Sequence, residues 1–125
     1  MPKSKPPGIQ WLSEVAKHDY GAAASFLGLL RGDEQVRKIM KKLRRARVTE
    51  FKAKDIFRAS QLSLLGATNA HVESDRMRIR EGKGLSPVLL VRDEPNGKVV
   101  IADGYHRLCA VYQFDEDSVI RCKII

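Results

Sequence analysis

A histidine and an arginine stand side by side where a strand should give way to a helix. In Ile101-Ala102-Asp103-Gly104-Tyr105-His106-Arg107, continued by Leu108 to Tyr112, a β-rich run ends, a glycine allows a tight turn, and helix formers follow. Two cation-capable side chains therefore sit in a first helical turn, the wrong end for them. Free N–H groups and the macrodipole make a helix N-terminus partly positive and disfavour each exposed cation by roughly 0.3 to 1 kcal/mol. An anion reverses that sign. A phosphate at this turn would accept from the N–H groups of Tyr105, His106 and Arg107, take a bidentate pair from the Arg107 guanidinium, and approach closely because Gly104 has no side chain. The competing reading is internal: Asp103 caps the helix and pairs with Arg107 four residues on.

For proton transfer the candidates are His106, His71, Asp75, Glu73 and Asp55, and of these only His106 has a located role, as the candidate catalytic residue. His71 lies with Asn69 in a segment before an expected helix, from which it could face the phosphate turn. Ser86 before Pro87 is a second candidate phosphate contact. No metal site is expected, because Cys109, Cys122 and the histidines form no zinc spacing, and the two cysteines read as buried thiols of a reducing compartment.

The turn has a family likeness. Asp103-Gly104-Tyr105-His106-Arg107 with Leu108 to Val111 resembles the G-x-x-R signature of the ParB/sulfiredoxin superfamily, which sits at a strand-to-helix turn. Gly84-Leu85-Ser86-Pro87 leading into Val88 to Val91, then a hairpin whose second strand enters the glycine turn, resembles the pattern upstream of it. The resemblance spans residues 48–125. It implies phosphate binding at the turn, with Gly104 and Arg107 at the family positions that approach phosphate and His106 at a position that is His in several enzyme members. With Asp103, Tyr105, His71 and Ser86, read from the residues themselves, they make the expected binding set for a nucleotide (ATP, ADP or CTP) with Mg2+ or another phosphorylated small molecule. Phosphotransfer and hydrolysis are both within the superfamily's range. Sulfiredoxin has its reactive cysteine where this chain has Tyr105, so sulfinic acid repair is not expected. Operator-specific partitioning is not expected either, because the helix-turn-helix region of the partition proteins does not follow.

The elements that must position the turn are legible in outline. Residues 1–8 read as a mobile Pro-rich start, and residues 9–47 as a helical N-terminal part. A short helix is expected from Ile9, Trp11, Leu12, Val15 and Ala16, stopping at His18 to Gly21. A second is expected over Ala22 to Leu30, with Ala23, Phe26, Leu27 and Leu30 facing inward. A third, capped by Asp33, carries Val36, Ile39, Met40 and Leu43 as its apolar stripe. From Val48 the pattern alternates as a strand with Thr49, Phe51 and Ala53 inward. A turn or short helix over Asp55 to Ser60 and a helix over Val72 to Glu81 come next. An Asn96-Gly97 hairpin joins the runs Pro87 to Arg92 and Lys98 to Ala102, and a helix from Tyr105 to Phe114 precedes a last strand from Ser118 to Ile124. The expected fold is α+β, N-terminal helices followed by a small mixed sheet with helices, as one compact unit.

The chain's 125 residues carry 23 Lys plus Arg against 15 Asp plus Glu, a net charge of +8. That surplus is local: residues 31–58 hold eleven cations and four anions, whereas residues 93–125, which contain the turn, are net negative. The helix at residues 33–47 therefore offers a second function, with Lys38, Lys41, Lys42, Arg44 and Arg45 as candidate nucleic-acid contacts, or with the helix as a surface for a protein partner or a second copy in a homodimer. No apolar run is long enough for a membrane span and no signal peptide opens the chain, which places it in the cytoplasm.

Overall fold

The computed structural model describes residues 8–65 and 69–125; the expected mobile start, apart from Gly8, and the glycine break at Gly66 lie outside them. The fold is α+β. Among the described residues five α-helices surround a four-stranded mixed sheet: α1 Lys17–Leu27, α2 Asp33–Arg45, β1 Thr49–Lys52, α3 Ala53–Ser60, α4 Ala70–Arg80, β2 Val88–Asp93, β3 Lys98–Asp103, α5 Tyr105–Phe114 and β4 Val119–Ile124. The strands lie in the order β1-β4-β2-β3. β2 runs parallel to β4, and the two outer pairings are antiparallel.

β2 holds the layers together because it is apolar on both faces. Val88 and Leu90 point into a core shared with α3, α4 and α5, where Ile56, Val72, Ile79, Leu108 and Val111 are buried. Leu89 and Val91 point the other way, against Val36, Met40 and Leu43 of α2 and Ala23 and Leu27 of α1. Each such side chain contributes about 1.5–3 kcal/mol by leaving water. Period-two alternation on one central strand thus joins two helical layers into a three-layer unit.

The β2–β3 hairpin turns through a short 3-10 segment, Glu94–Asn96, and Gly97 closes it at φ +62°, with Asn96 Nδ2 donating to Asp93 at 2.9 Å. β3 then delivers the chain to Gly104, which takes φ +109° before α5 begins. α4 starts with a side-chain cap, Asn69 Oδ1 accepting from the N–H groups of His71 and Val72.

Five expectations about the first half are corrected. Residues 9–16 are not a helix: Trp11 pairs with Leu85 in a parallel bridge, and the backbone of Leu12 donates to the Leu85 carbonyl at 2.8 Å. α1 starts at Lys17 and runs on through Asp19 and Gly21, since an aspartate in a first turn favours a helix N-terminus. Phe26 and Leu30 lie 42% and 52% exposed, outside the core. Gly32 rather than Asp33 occupies the N-cap of α2, and the Asp33 side chain caps nothing. β1 is exposed along its whole length, Thr49 and Phe51 included, because it is an edge strand that pairs with β4 alone before α3 begins at Ala53.

Candidate functional site

The helical turn at Gly104–Arg107 opens onto a cleft of about 440 Å³, whose walls come from four parts of the chain. α5 supplies His106 and Arg107, β3 supplies Asp103, α4 supplies His71, Ser74, Asp75 and Arg78, and α1 supplies His18 and Asp19; Gly84 to Ser86 and Leu12 close one side. Of the seven residues expected to bind phosphate, Asp103, Gly104, His106, Arg107, His71 and Ser86 line this one cleft. Tyr105 does not. Its hydroxyl donates to the Ser63 carbonyl, and its ring packs against the core beneath α5.

Arg107 is the hinge of the arrangement. Its Nη1 donates to Asp19 Oδ2 at 2.8 Å and to the Ser86 carbonyl at 3.1 Å, and its Nη2 donates to Asp103 Oδ2 at 2.6 Å. Three of the five guanidinium hydrogens are thereby engaged. The pairing with Asp103 is the internal alternative read from the sequence, but the cap is not: no side chain caps α5. The glycine serves this clamp. A Cβ at residue 104 would stand 2.9 Å from Arg107 Nη2 and 2.8 Å from Val88 Cγ2, so the missing side chain leaves the space into which the guanidinium folds back.

The two carboxylates around Arg107 differ. Burial alone would raise Asp19, but hydrogen bonds from Ser86 and Arg107, with the charges of Arg107 and His18, hold it below its ordinary value. Burial raises Asp103, and Arg107 offsets this only in part. Asp19 is therefore the firm ionic partner and Asp103 the one more readily protonated. Ser86 has a positioning task in this state: its Oγ accepts the Ala16 N–H at 3.0 Å and so ties the start of α1 to the cleft.

Proton-handling groups meet on the opposite wall. The His71 and His106 rings lie 4.9 Å apart, and Asp75 follows His71 by one helical turn. Burial and the neighbouring His71 push His106 below the ordinary imidazole value, with Asp75 pulling against them. Burial pushes Asp75 up, although Arg107, Arg78 and the two histidines pull it down. An imidazole held toward its neutral form beside a carboxyl held toward its protonated form is a pair suited to passing a proton.

The remaining candidates lie elsewhere. Glu73 bonds Arg80 at 3.1 Å and Asp55 bonds Arg58 at 2.9 Å, both outside the cleft. Burial raises the Cys109 thiol and pushes Cys122 up to about 12, which makes both inert core groups. Lys38, Lys41, Lys42, Arg44 and Arg45 are all exposed on α2, and none lines the cleft. Asp19, His18, Ser74 and Arg78 are the polar cleft residues that sequence reasoning missed. The i,i+4 spacing of Asp103 and Arg107 is a local signal, but an aspartate 88 positions from its arginine leaves none.

Fold and cleft together define a small α+β protein with a polar cleft at a helix N-terminus. Compared with protein-family models, curated proteins and solved structures, the chain matches none.

Proposed function

We propose that this is a ParB-like protein that binds a nucleotide, or another phosphorylated small molecule, at the Gly104–Arg107 turn, with phosphoryl transfer or hydrolysis as its chemistry. One observation carries the reading: six of the seven residues named for phosphate binding meet in a single cleft, at a helix N-terminus that no side chain caps. Its volume of about 440 Å³ lies within the roughly 300–1,000 Å³ range of small-molecule sites. The free N–H groups of the first turn of α5 and Arg107 are the phosphate donors.

The charge balance selects among ligands. The cleft sets the carboxylates of Asp19, Asp75 and Asp103 against the guanidinium groups of Arg78 and Arg107, so a bare polyphosphate meets net negative charge. Mg2+ on the phosphates offsets it. That ion is ordinarily held by one or two carboxylates together with the phosphates it accompanies, and Asp103, once released from Arg107, would supply one. Since Asp103 is the weaker ionic partner of Arg107, an arriving phosphate takes its place on Nη2 and leaves Asp19 on Nη1. In transfer, neutral His106 accepts the proton of the attacking hydroxyl or water as the phosphoryl group passes from the leaving to the incoming oxygen. Two buried unpaired cysteines suit a cytoplasmic setting. Among the described residues no helix is long and apolar enough to cross a membrane.

The test is a melting-temperature series with ATP, ADP and CTP, each with and without Mg2+. Wild type should gain several degrees with at least one Mg2+–nucleotide, and His106→Ala, which cuts no ion pair, should bind but lose turnover. Absence of a rise with every nucleotide, from folded protein, overturns the proposal.

A further inference from the structure

A second concave surface lies away from the cleft, between α1 and α2. Two hollows of about 540 and 410 Å³ meet at Tyr20 and Arg44, which line both, and together they make one furrow along the flank of α2. Its cations are Arg37, Lys41, Arg44 and Arg45 from α2, Lys17 from α1 and Lys123 from β4; its carboxylate is Glu14. Among the described residues none of these six cations is ion-paired: the one α2 cation with a carboxylate partner is Lys38, held loosely at 3.8 Å by Glu34. The furrow stays open because α1 presents Gly21 and Ala24 to it.

Its floor is built for positive charge. Lys123 is only 9% exposed, and its ammonium is held by neutral acceptors, the Tyr20 hydroxyl and the Arg44 carbonyl, each at 2.9 Å. The Arg44 guanidinium lies 5.1 Å from the Tyr20 ring centroid, and Lys123 Nζ lies 5.5 Å from it. A buried ammonium without a carboxylate is costly unless an anion arrives. Arg37, Lys41, Arg44 and Arg45 lie within nine residues of helix, and the eight steps from Arg37 to Arg45 rise about 12 Å. At one phosphate per 3.4 Å of axis on each strand, that length meets on the order of three phosphates.

We propose that this furrow binds the sugar–phosphate backbone of a nucleic acid, separately from the nucleotide cleft. Three of the four α2 cations that line the furrow are arginines, whose planar fork matches phosphate. Val36 and Met40, its apolar lining, are buried and offer nothing to insert into lipid. Arg44 and Lys123 crowd the Tyr20 ring, its hydroxyl is bonded, and no other aromatic side chain among the described residues lines the furrow, so base stacking has little to work with. Binding therefore ignores sequence and depends on salt.

The experiment is fluorescence anisotropy with labelled duplex and single-stranded 20-mers of two unrelated sequences, titrated with the full chain between 50 and 200 mM salt. With about three phosphates engaged, duplex affinity should fall roughly forty-fold over that range, and equally for both sequences. Arg37→Glu with Lys41→Glu and Arg45→Glu should weaken binding more than ten-fold and flatten the salt dependence. Lys83→Glu with Arg92→Glu and Lys98→Glu, the same charge change elsewhere, should weaken it much less. If the first triple unfolds, Arg37→Gln with Lys41→Gln replaces it and should weaken binding several-fold. The duplex and single-strand arms say which form fits. No binding to either form at 50 mM salt, equal losses in the two triples, or binding to phosphatidylserine vesicles alone overturns the proposal. A His106→Ala protein that still binds the oligonucleotides keeps this result apart from any failure of the cleft.

Discussion

Adjacent residues of α1 serve two surfaces that treat charge in opposite ways. Asp19 reaches the cleft, where it holds Arg107 against Asp103 and Ser86. Tyr20 reaches the furrow, where Arg44 and Lys123 gather on it without a carboxylate between them. In the cleft opposite charges are paired and largely buried, so they fix geometry and feel salt little. In the furrow like charges are held together mostly in the open, so they create an attractive field rather than a rigid shape. Removing the cation that pairs the cleft's carboxylates should therefore disturb the fold, and removing charge from the furrow should not.

Arg107→Ala is the largest expected effect. The Arg107 side chain is 13% exposed and Asp19 7%, and the substitution leaves two carboxylates facing one another without a cation. Breaking a buried pair in this way costs about 3 kcal/mol or more. Thermal unfolding at pH 7 should show a loss on the order of 10 °C, shrinking in acid as the orphaned carboxyls protonate. An unchanged melting temperature would mean that the clamp is not structural. Gly104→Ala comes next. At φ +109°, with Val88 and Arg107 within 3 Å of the new Cβ, it should cost about 2 kcal/mol and displace the guanidinium, while nucleic-acid binding at the furrow stays within two-fold of wild type. A loss of both functions together would show that the two surfaces are not independent.

The legibility of the sequence divides along the same line. The turn, α5 and the hairpin were readable because their signals are local: Gly104 at a strand end, Asn96-Gly97, and an unbroken run of helix formers from Tyr105. The basic flank of α2 was readable as composition, but the furrow was not, since it depends on Tyr20 and Lys123 arriving from elements 103 positions apart. Asp19 was lost through a misread element. Ile9 and Trp11 resembled the start of a helix, and His18 to Gly21 its end, whereas the chain is bridged to Leu85 at Trp11 and the helix begins only at Lys17. The inward reading of Phe51 failed for a related reason: alternation shows that a strand has two faces, not that something covers them.

Titration should separate the surfaces further, with smaller effects. Asp75 and Asp103 are raised by burial, so each detracts from stability as pH climbs from about 3.8 through its folded value, and the deficit persists above that. Asp75→Asn should therefore melt a few degrees higher than wild type at pH 7 and no higher below pH 3.8, while losing turnover. His106 is lowered, so the folded protein loses stability as pH falls from 6.5 through its folded value, and His106→Asn should flatten that limb of the melting curve. Asp103→Asn, which removes the acceptor competing for Arg107 Nη2, should tighten Mg2+-free phosphate binding several-fold. Weaker binding would mean that Asp103 orients Arg107 rather than competing with the ligand.

The smallest expected change in stability tests the furrow at its most structural residue. Lys123 is as buried as many core side chains, and its two charge-assisted hydrogen bonds, one to a helix C-terminal carbonyl, contribute roughly 1.5–3 kcal/mol each. Against that stands the desolvation of an ammonium that makes no ion pair among the described residues, a term of several kcal/mol before relaxation. The terms nearly cancel, so Lys123→Met, which keeps the length and apolar stem, should move the melting temperature by less than about 4 °C in either direction. Binding of a 20-mer duplex should nevertheless weaken by two- to five-fold, because the floor of the furrow loses a fixed charge. A large loss of stability with unchanged duplex affinity would assign Lys123 to holding the C-terminus of α2, and the furrow's field would then rest on the exposed cations of α2 and Lys17.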